Sequence, residues 1–568
     1  MRAYLLDLRK LRNIKMERAF ENRLLEIHST GMWNIFFVDR AIEIAKKYCC
    51  TGIIFHCNDF IDRVVFPSKF FSKEDIMEYN PVRNSITKNN QYYLRAVFER
   101  CIKSNLEFYV ETKEFNFDDH LIYKYPEVIG SNGKICATHP FLFEYIEGKY
   151  RELFDLFPEV SGVIVSPGSK ESKVTISANK CQCVRCKNTD IDEWYKKLIS
   201  AMYKPISEKG KKLIVRDFAY DKTNQDSMIN AVKSVSKNII MAVKKAPHDY
   251  YPVSIDNPAI GKSDNQWVEF DTWGQFFSLG AFPCSIIEDM HERLIRCYDK
   301  GVKGVMIRTD WENMTQASVF NSFNILNTIG AAMISNNLDI ANDDIYKAWG
   351  DCGLFSPLIS DSYKQNDCKI KNKEDLDYFT HIAKEGFTII TKGIYGKKNI
   401  LALNSQIFDR IEHSWYIPMV QHNRDAWEPG CSDILNPTEE NIAFLEKEKE
   451  EALEMAQDLA CFIKSRKADI VPSIQEYLDF LVDAFPAYIE GFALELRTYM
   501  YVLMAENHNV EYLEKAENSL LLYENLAERY DELVKGKCYS HQMLYMLDGD
   551  RLLMYKKTVE ERLNRIRN

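Results

Sequence analysis

Short β-rich runs alternate with amphipathic stretches from the start of the chain to about residue 320. This alternation is typical of a parallel sheet whose neighbouring strands are joined by helices. Eight such strands close into a barrel of roughly 250 residues or more. The sequence therefore predicts an α/β fold, a (β/α)₈ TIM barrel, with strands over Ala3–Leu8, Gly52–His56, Glu107–Thr112, Gly162–Ser166, Lys212–Phe218, Ile239–Lys244, Trp267–Trp273 and Gly304–Arg308.

Beyond about Asn336 the β signal fades, and apolar residues recur at helical spacing. Four long amphipathic runs follow, over residues 437–467, 473–508, 510–535 and 551–567. We therefore predict a catalytic barrel over residues 1–335 and an all-helical C-terminal domain over residues 336–568. The apolar stripes of these helices could support a homodimer or could pack on each other and on the barrel.

The composition limits which partners the protein can bind and in which cellular compartment we expect it. The 568 residues carry a net charge of −10 and include no long Lys/Arg cluster, which argues against a nucleic-acid partner. No apolar run approaches the ~20 residues that span a bilayer. The first ten residues include charges where a signal peptide needs apolar ones, and the fifteen cysteines are scattered. We expect a cytoplasmic protein with free thiols, without a membrane or nucleic-acid partner.

Acidic residues recur where the predicted strands end, at the face where barrel enzymes place their sites. Hydrolysis of a glycosidic bond needs two carboxyl groups, one to protonate the leaving oxygen and one to activate water or attack directly. The chain shows no Gly-rich phosphate loop, Gly-x-Ser-x-Gly or His-Glu-x-x-His motif. The carboxylates thus favour a glycoside hydrolase, which requires no cofactor and takes an oligosaccharide or glycoside as its partner.

Several stretches at the ends of the predicted strands follow one another in a distinctive order and spacing. They are Arg216–Tyr220 at the fifth strand, Asn238–Val253 at the sixth, Gln266–Phe276 at the seventh, and Gly301–Asp310 at the eighth, followed by a helix and Asp344–Trp349. In this order and spacing, from about residue 105 to 350, the chain resembles the barrel of the family 67 α-glucuronidases.

The resemblance implies roles for particular residues. The family's general acid corresponds most nearly to Glu171, and the first member of its basic carboxylate pair corresponds to Asp249. Where the family has the second carboxylate, this chain has Gln275, which cannot accept a proton as a carboxylate does. Residues at the family's sugar-holding positions are Arg216, Lys244 and Glu269, and two cations suit an anionic uronate. The implied activity is α-glucuronidase-like and inverting, on a small uronic-acid-bearing oligosaccharide.

Two alternatives stay open at this stage. The same scaffold could cleave another sugar with a different pair, such as Glu111 or Glu114 with Asp310. Alternatively, the change to Gln275 could mark a carbohydrate-binding protein that has lost its activity. In either case Trp273 and Trp311, at strand ends, could stack on a sugar ring, or they could simply pack in the core.

A cysteine cluster, Cys181-Gln-Cys183-Val-Arg-Cys186, lies in the long loop after the fourth strand. Three thiolates at this spacing could bind a structural zinc ion if a fourth ligand joined them, and otherwise they are free thiols. The candidates for that ligand are Cys136, His139 and His120.

Overall fold

The computed structural model describes residues 18–79, 81–218, 222–247, 249–314, 317–355, 369–402, 404–414, 425–466, 470–507, 509–535 and 541–568. Eight parallel strands pair in chain order and close into a barrel, which confirms the predicted fold class. The strands are β1 (Asn22–Ile27), β2 (Gly52–His56), β3 (Glu107–Thr112), β4 (Val160–Val165), β5 (Lys212–Arg216), β6 (Ile240–Lys244), β7 (Gln266–Asp271) and β8 (Gly304–Arg308).

Helices follow the strands around the outside of the barrel. Polar caps set several of their starts: Asn34 accepts a hydrogen bond from Phe36 N–H, and Asp190 accepts one from Glu193 N–H. These helices are α1 (Ile35–Lys47), α2 (Phe60–Val64), α3 (Lys73–Tyr79), α4 (Pro81–Lys103), α5 (His120–Lys124), α6 (Pro140–Leu156), α7 (Ile176–Asn179), α8 (Val184–Lys187), α9 (Ile191–Glu208), α10 (Lys222–Val235), α11 (Ile287–Asp299) and α12 (Ile325–Asn336).

After α12 the described chain is helical apart from a two-stranded hairpin, β9 (Tyr395–Gly396) and β10 (Asn399–Ile400). No helix within the described ranges is long and apolar enough to cross a membrane. The helices are α13 (Asn342–Cys352), α14 (Lys373–Gly393), α15 (Ile411–Ser414), α16 (Glu439–Ser465), α17 (Pro472–Glu506), α18 (Val510–Val534), α19 (His541–Met546) and α20 (Gly549–Arg567). The domain boundary near residue 335 and the homodimer stay predictions.

The first strand of the barrel is not the predicted one. Ala3–Leu8 lies outside the described residues, and the barrel closes without it because β1 pairs with both β2 and β8. Both segments carry apolar runs, so periodicity alone cannot choose between them. Long-range pairing decides, since Leu24 lies beside Gly52 on one side and beside Met306 on the other.

A layer of large apolar side chains fills the interior of the barrel. Because successive side chains of a strand point to opposite faces, one residue in two can belong to such a layer. The outward-facing residues pack instead against the helices, as Leu25 and Ile53 do. The buried interior cluster consists of Leu24, Ile54, Tyr109, Ile164, Ile214, Ile240, Ala242, Trp267 and Met306.

The helical region packs closely against the segment that follows β7. Tyr477 donates a hydrogen bond to the Ala281 carbonyl, and Phe282 stacks on Phe485 with ring centroids 4.7 Å apart. At Gly386 in α14 the approach is tighter still, because a Cβ there would lie 1.9 Å from the Pro283 carbonyl oxygen. Backbone atoms cannot move aside as a flexible side chain can.

Gly386→Ala should therefore lower the free energy of unfolding by about 1–3 kcal/mol through overpacking, as measured by chemical denaturation. Gly350→Ala in α13 is the matched control, because its new Cβ would first meet the flexible end of Leu376 at 3.2 Å. That variant should stay within about 1 kcal/mol of wild type, since alanine favours a helix interior. Equal stability of the two variants would contradict the packing argument.

Candidate active site

A ring of polar side chains lies directly above the apolar layer, at the carboxyl end of the barrel. Each member stands two residues beyond the apolar residue of its own strand, so that all eight point inward. All are buried. A charged layer inside a barrel is costly unless each charge is paired, and such clusters mark functional sites. The ring consists of Glu26, His56, Glu111, Ser166, Arg216, Lys244, Glu269 and Arg308.

Arg216 is the hub of this polar ring. Its Nε and Nη2 donate to the two carboxylate oxygens of Glu269 at 2.6 and 2.9 Å, and its Nη1 lies 3.4 Å from Glu111 Oε1. The Tyr250 hydroxyl accepts from Arg216 Nη2 at 2.6 Å and donates to Glu269. Burial alone would raise the pKa of Glu269, but Arg216, Lys244 and Tyr250 bring it below the ordinary value. Glu269 is therefore an ionised carboxylate.

The other two ring carboxyls hold their protons more tightly. Burial raises the pKa of Glu111 to about 7 against the opposing charges of Arg216 and Lys113, and Glu269 adds to the rise. Burial and the charges of Glu269 and Glu111 raise the pKa of Glu26 well above its ordinary value. Among the described residues, neither Glu111 oxygen accepts a hydrogen bond, although Oε1 lies 3.2 Å from His56 Nε2.

Two histidines occupy the β1–β2 side of the site. Their rings stack with centroids 3.6 Å apart, and His56 Nδ1 lies 2.8 Å from Glu26 Oε1. Arg308 Nη2 lies 2.8 Å from Nδ1 of His28. Burial lowers the pKa of both imidazoles well below the ordinary value, and nearby cations, Arg308 and Arg216 among them, lower it further. Both histidines are therefore neutral and stand in a positive potential.

Two carboxylates at the rim of the site each pair with a lysine. Lys244 Nζ donates to Asp249 at 2.6 Å, and Lys113 Nζ lies 2.9 Å from Glu171 Oε2. The side chains of Asp249 and Glu171 are 23% and 38% exposed, so both can meet a ligand. Both lysines also lie over the ring of Phe218, at 4.0 Å for Lys244 and 5.0 Å for Lys113.

For Glu171 the informative feature is the pKa of its carboxyl group, and for Asp249 it is the backbone conformation. Burial would raise the pKa of Glu171, but the charge and hydrogen bond of Lys113 bring it below the ordinary value. Without a ligand Glu171 is thus ionised, which an acid catalyst must not be. Asp249 has φ of +52°, in the left-handed region that only asparagine and aspartate tolerate well among residues with side chains. That backbone turn brings Asp249 back toward Lys244 of the preceding strand.

Gln275 is held by partners that suit an amide. Its Oε1 accepts from Arg308 Nη1 at 2.9 Å, its Nε2 donates to Asn404 Oδ1 at 3.0 Å, and its backbone N–H donates to Asp271 at 2.7 Å. The Ser405 hydroxyl donates to its carbonyl at 3.0 Å. A carboxylate in this place could not donate to Asn404. Both polar groups of the Gln275 amide are thus hydrogen-bonded.

The structure does not support a substrate contact for three predicted residues. The carboxylate of Asp310 accepts from the backbone N–H groups of His28 and Ser29, at 2.6 and 3.1 Å, and so fastens the loop after β1. Trp273 is fully buried and Trp311 nearly so, because both pack in the apolar core. Glu114, the alternative catalytic residue, accepts from Gly168 N–H and the Ser172 hydroxyl and thus braces the loop after β4.

The predicted site does not include several residues of the observed one, namely Glu26, His28, His56, Lys113, Ser166, Phe218, Tyr250 and Arg308. Glu26 and His28 were overlooked because the first strand was placed too early in the chain, although Leu-Leu-Glu-Ile followed by His is a strand with a polar tip. Lys113 directly follows β3, whereas Phe218 ends the predicted fifth strand and lies two residues beyond the observed end of β5. Their pairing with residues of other loops leaves no mark in local spacing.

Comparison with known proteins supports the fold of this chain and does not assign it to a family. No protein-family model matches the chain, and no curated protein matches its sequence. A GH138 enzyme targeting pectin rhamnogalacturonan II aligns with a TM-score of 0.58 and 12% identity over 99% of this chain and 68% of that one. At this identity the likeness shows a shared fold.

Two further structures align with lower TM-scores. An O-GlcNAc hydrolase mutant of Thermobaculum terrenum gives a TM-score of 0.40 at 8% identity, covering 96% of this chain and 94% of its own. The structure of CpGH84B gives 0.40 at 10% identity, covering 94% and 77%. The resemblance to the family 67 α-glucuronidases stays a prediction.

The raised pKa of Glu111 predicts a pH-dependent stability. The folded protein holds this proton up to a pKa of about 7, against an ordinary value of 4.5, so ionisation of Glu111 increasingly opposes folding as the pH rises through that window. Glutamine cannot ionise. The free energy of unfolding of Glu111→Gln, relative to wild type, should therefore rise by about 2 to 3 kcal/mol between about pH 5 and about pH 8.

Chemical denaturation at the two pH values measures this difference. Glu107→Gln is the control, because Glu107 is exposed at the start of the same strand, where it pairs with Lys212 and accepts a hydrogen bond from the Tyr109 hydroxyl. Its difference from wild type should change much less with pH. A pH-independent difference for Glu111→Gln would show that Glu111 ionises normally.

Proposed function

We propose that this protein is a glycoside hydrolase that cleaves a small oligosaccharide bearing a uronic acid. One observation carries the proposal: two reachable carboxylates, Asp249 and Glu171, stand at the open end of a charged barrel, each beside a lysine that contacts Phe218. Paired carboxyl groups are the machinery of glycosidic hydrolysis. The fold shared with an enzyme targeting pectin rhamnogalacturonan II is consistent with a carbohydrate substrate.

Asp249 is the proposed base. Lys244 beside it favours the charged form, and a base must be ionised before it can take a proton from water. Glu269 is ionised as well, but both its oxygens are committed to Arg216 and Tyr250 and it is fully buried. In this scheme Glu269 holds Arg216 in place, and the exposed Asp249 activates the water that attacks the anomeric carbon.

Glu171 is the proposed acid. It must be protonated for that role, and in this scheme the bound substrate raises its pKa. A uronate carboxylate bound to Lys113 would take up the cation that now keeps Glu171 ionised, and would add a negative charge nearby. Both effects raise the pKa of Glu171. The protonated acid can then donate its proton to the glycosidic oxygen as the bond to the anomeric carbon breaks.

The electrostatics of the pocket favour an anionic sugar over a neutral one. Arg216, Arg308, Lys113 and Lys244 all lower the pKa of His28, so their charges reach the same volume. A neutral sugar would leave both rim lysines on their carboxylates and Glu171 ionised. Hydrolysis should therefore depend on the uronate.

Leaving-group chemistry separates the two catalytic roles. Glu171→Gln should lose about 10²- to 10⁴-fold in kcat/KM on an aldobiouronic acid, yet recover most of the turnover on a nitrophenyl glycuronide, whose leaving group needs no proton. Asp249→Asn should lose activity on both substrates. Release of the sugar, followed by chromatography, measures each rate.

Glu312→Gln is the matched control for these variants. Glu312 is a rim carboxylate with the same 38% exposure as Glu171, and it is likewise held by a cation, Arg308. It should retain activity within about threefold of wild type on both substrates. Undiminished hydrolysis by Asp249→Asn would overturn the assignment, and equal rates on uronates and matching neutral disaccharides would overturn the substrate class.

A second candidate function follows from Gln275. Its amide fits its partners, so a protein that binds uronate oligosaccharides without hydrolysing them is the alternative. Calorimetric binding together with no release of sugar by the wild type would favour it. If activity has simply lapsed, Gln275→Glu should then restore some cleavage of an α-glucuronide.

A further inference from the structure

Four cysteine sulfurs converge at one point on the rim of the barrel, apart from the carboxylate site. Cys136 comes from the connection between β3 and β4, and Cys181, Cys183 and Cys186 come from the connection between β4 and β5. Cys136 Sγ lies 3.6 Å from both Cys181 and Cys186, and 3.8 Å from Cys183. Cys181 and Cys186 are 3.6 Å apart.

These separations fit a tetrahedral metal site. Four sulfurs at the usual Zn–S distance of about 2.3 Å stand about 3.8 Å from one another. A disulfide would require about 2.05 Å, and none of the four cysteines forms one. Simple apolar packing could bring two thiols this close, but it does not account for four atoms, from segments 45 to 50 residues apart in the chain, all meeting at one point.

We propose that Cys136, Cys181, Cys183 and Cys186 bind one Zn²⁺ ion as thiolates. Binding releases the thiol protons and needs no oxidant or reductant. Four protein ligands leave no open coordination position, so the ion is structural and takes no part in hydrolysis. Neither His120 nor His139 is needed, because Cys136 completes the set.

Polar groups around the sulfurs support thiolate ligation. The Cys186 backbone N–H donates to Cys183 Sγ at 3.4 Å, and Cys183 caps the start of α8 in this way. The Thr138 hydroxyl lies 3.2 Å from Cys186 Sγ and 3.6 Å from Cys136 Sγ. Donors around ligands orient them and stabilise their charge, as second-sphere groups do at metal sites.

The ion would lock together two connections that build the rim of the site. Asn179, two residues before Cys181, already ties them by donating to the Ile135 carbonyl at 3.1 Å. The connection after β4 also carries Glu171 and Lys173, and Lys173 donates to the Phe117 carbonyl of the other connection. Loss of the metal should therefore loosen the segment that holds Glu171 beside Lys113.

Elemental analysis of the full-length protein, purified in reducing buffer without chelator, is the test. We expect about one zinc per chain and no iron, and iron has to be measured because a tetrahedral set of four sulfurs can also hold it. Cys136→Ser should lose the zinc, whereas Cys101→Ser, at a buried cysteine in α4 away from the cluster, should retain it. A chelator should lower the thermal unfolding midpoint of the wild type and leave that of Cys136→Ser unchanged.

A second measurement on the wild type covers the case in which Cys136→Ser does not fold. Alkylation followed by mass spectrometry should find the four cysteines protected in the zinc-loaded protein and reactive together after chelation. The proposal is overturned if the protein contains no zinc and takes up none when Zn²⁺ is added, if iron occupies the site, or if Cys136→Ser keeps its full zinc content. Each result is independent of whether the protein cleaves any sugar.

Discussion

The charged layer of this barrel depends on one guanidinium. Arg216 meets Glu269 through two hydrogen bonds, lies beside Glu111 and reaches Tyr250, and all four side chains are buried. Removing one member of a buried ion pair leaves the other charge without compensation, which is far more costly than removing both. The identities of the ring residues are therefore interdependent. Glu26, Glu111 and Glu269 are all buried, so their pKa values differ because each meets a different set of charges and hydrogen bonds around Arg216.

Much of the barrel could be predicted because its strands are buried on both faces. Gly52–His56, Glu107–Thr112 and Gly304–Arg308 are short apolar runs between turn signals, and the structure has them at those residues. The first strand could not be placed, since Ala3–Leu8 is the more apolar run, whereas Asn22–Ile27 has Asn, Arg and Glu among its six residues. The first strand is determined by its pairing with the last strand, β8, and no local sequence pattern shows that pairing.

The site was predictable where its partners are close in sequence. Lys244 and Asp249 are five residues apart, and the structure pairs them. The pairing of Glu171 with Lys113 crosses between loops, so the sequence could not show that the proposed acid is held ionised. Spacing also says nothing of the direction of a side chain at a strand end. The sequence therefore could not show that Asp310 turns toward backbone N–H groups and Trp273 into the core. Cys136 was one of three possible fourth ligands for the same reason.

The contact between Gln275 and the segment at Asn404 and Ser405 has a consequence for how this barrel could be re-engineered. Both of those residues have positive φ, 49° and 63°, and Ser405 is fixed by hydrogen bonds to Gln275, Ser278 and Tyr488. Gln275 is thus held from chain that lies well beyond β8. A barrel excised at residue 335, or grafted onto another helical partner, would keep its layer of charges and lose the hydrogen bonds that fix Gln275, so the two parts would have to be exchanged as one unit.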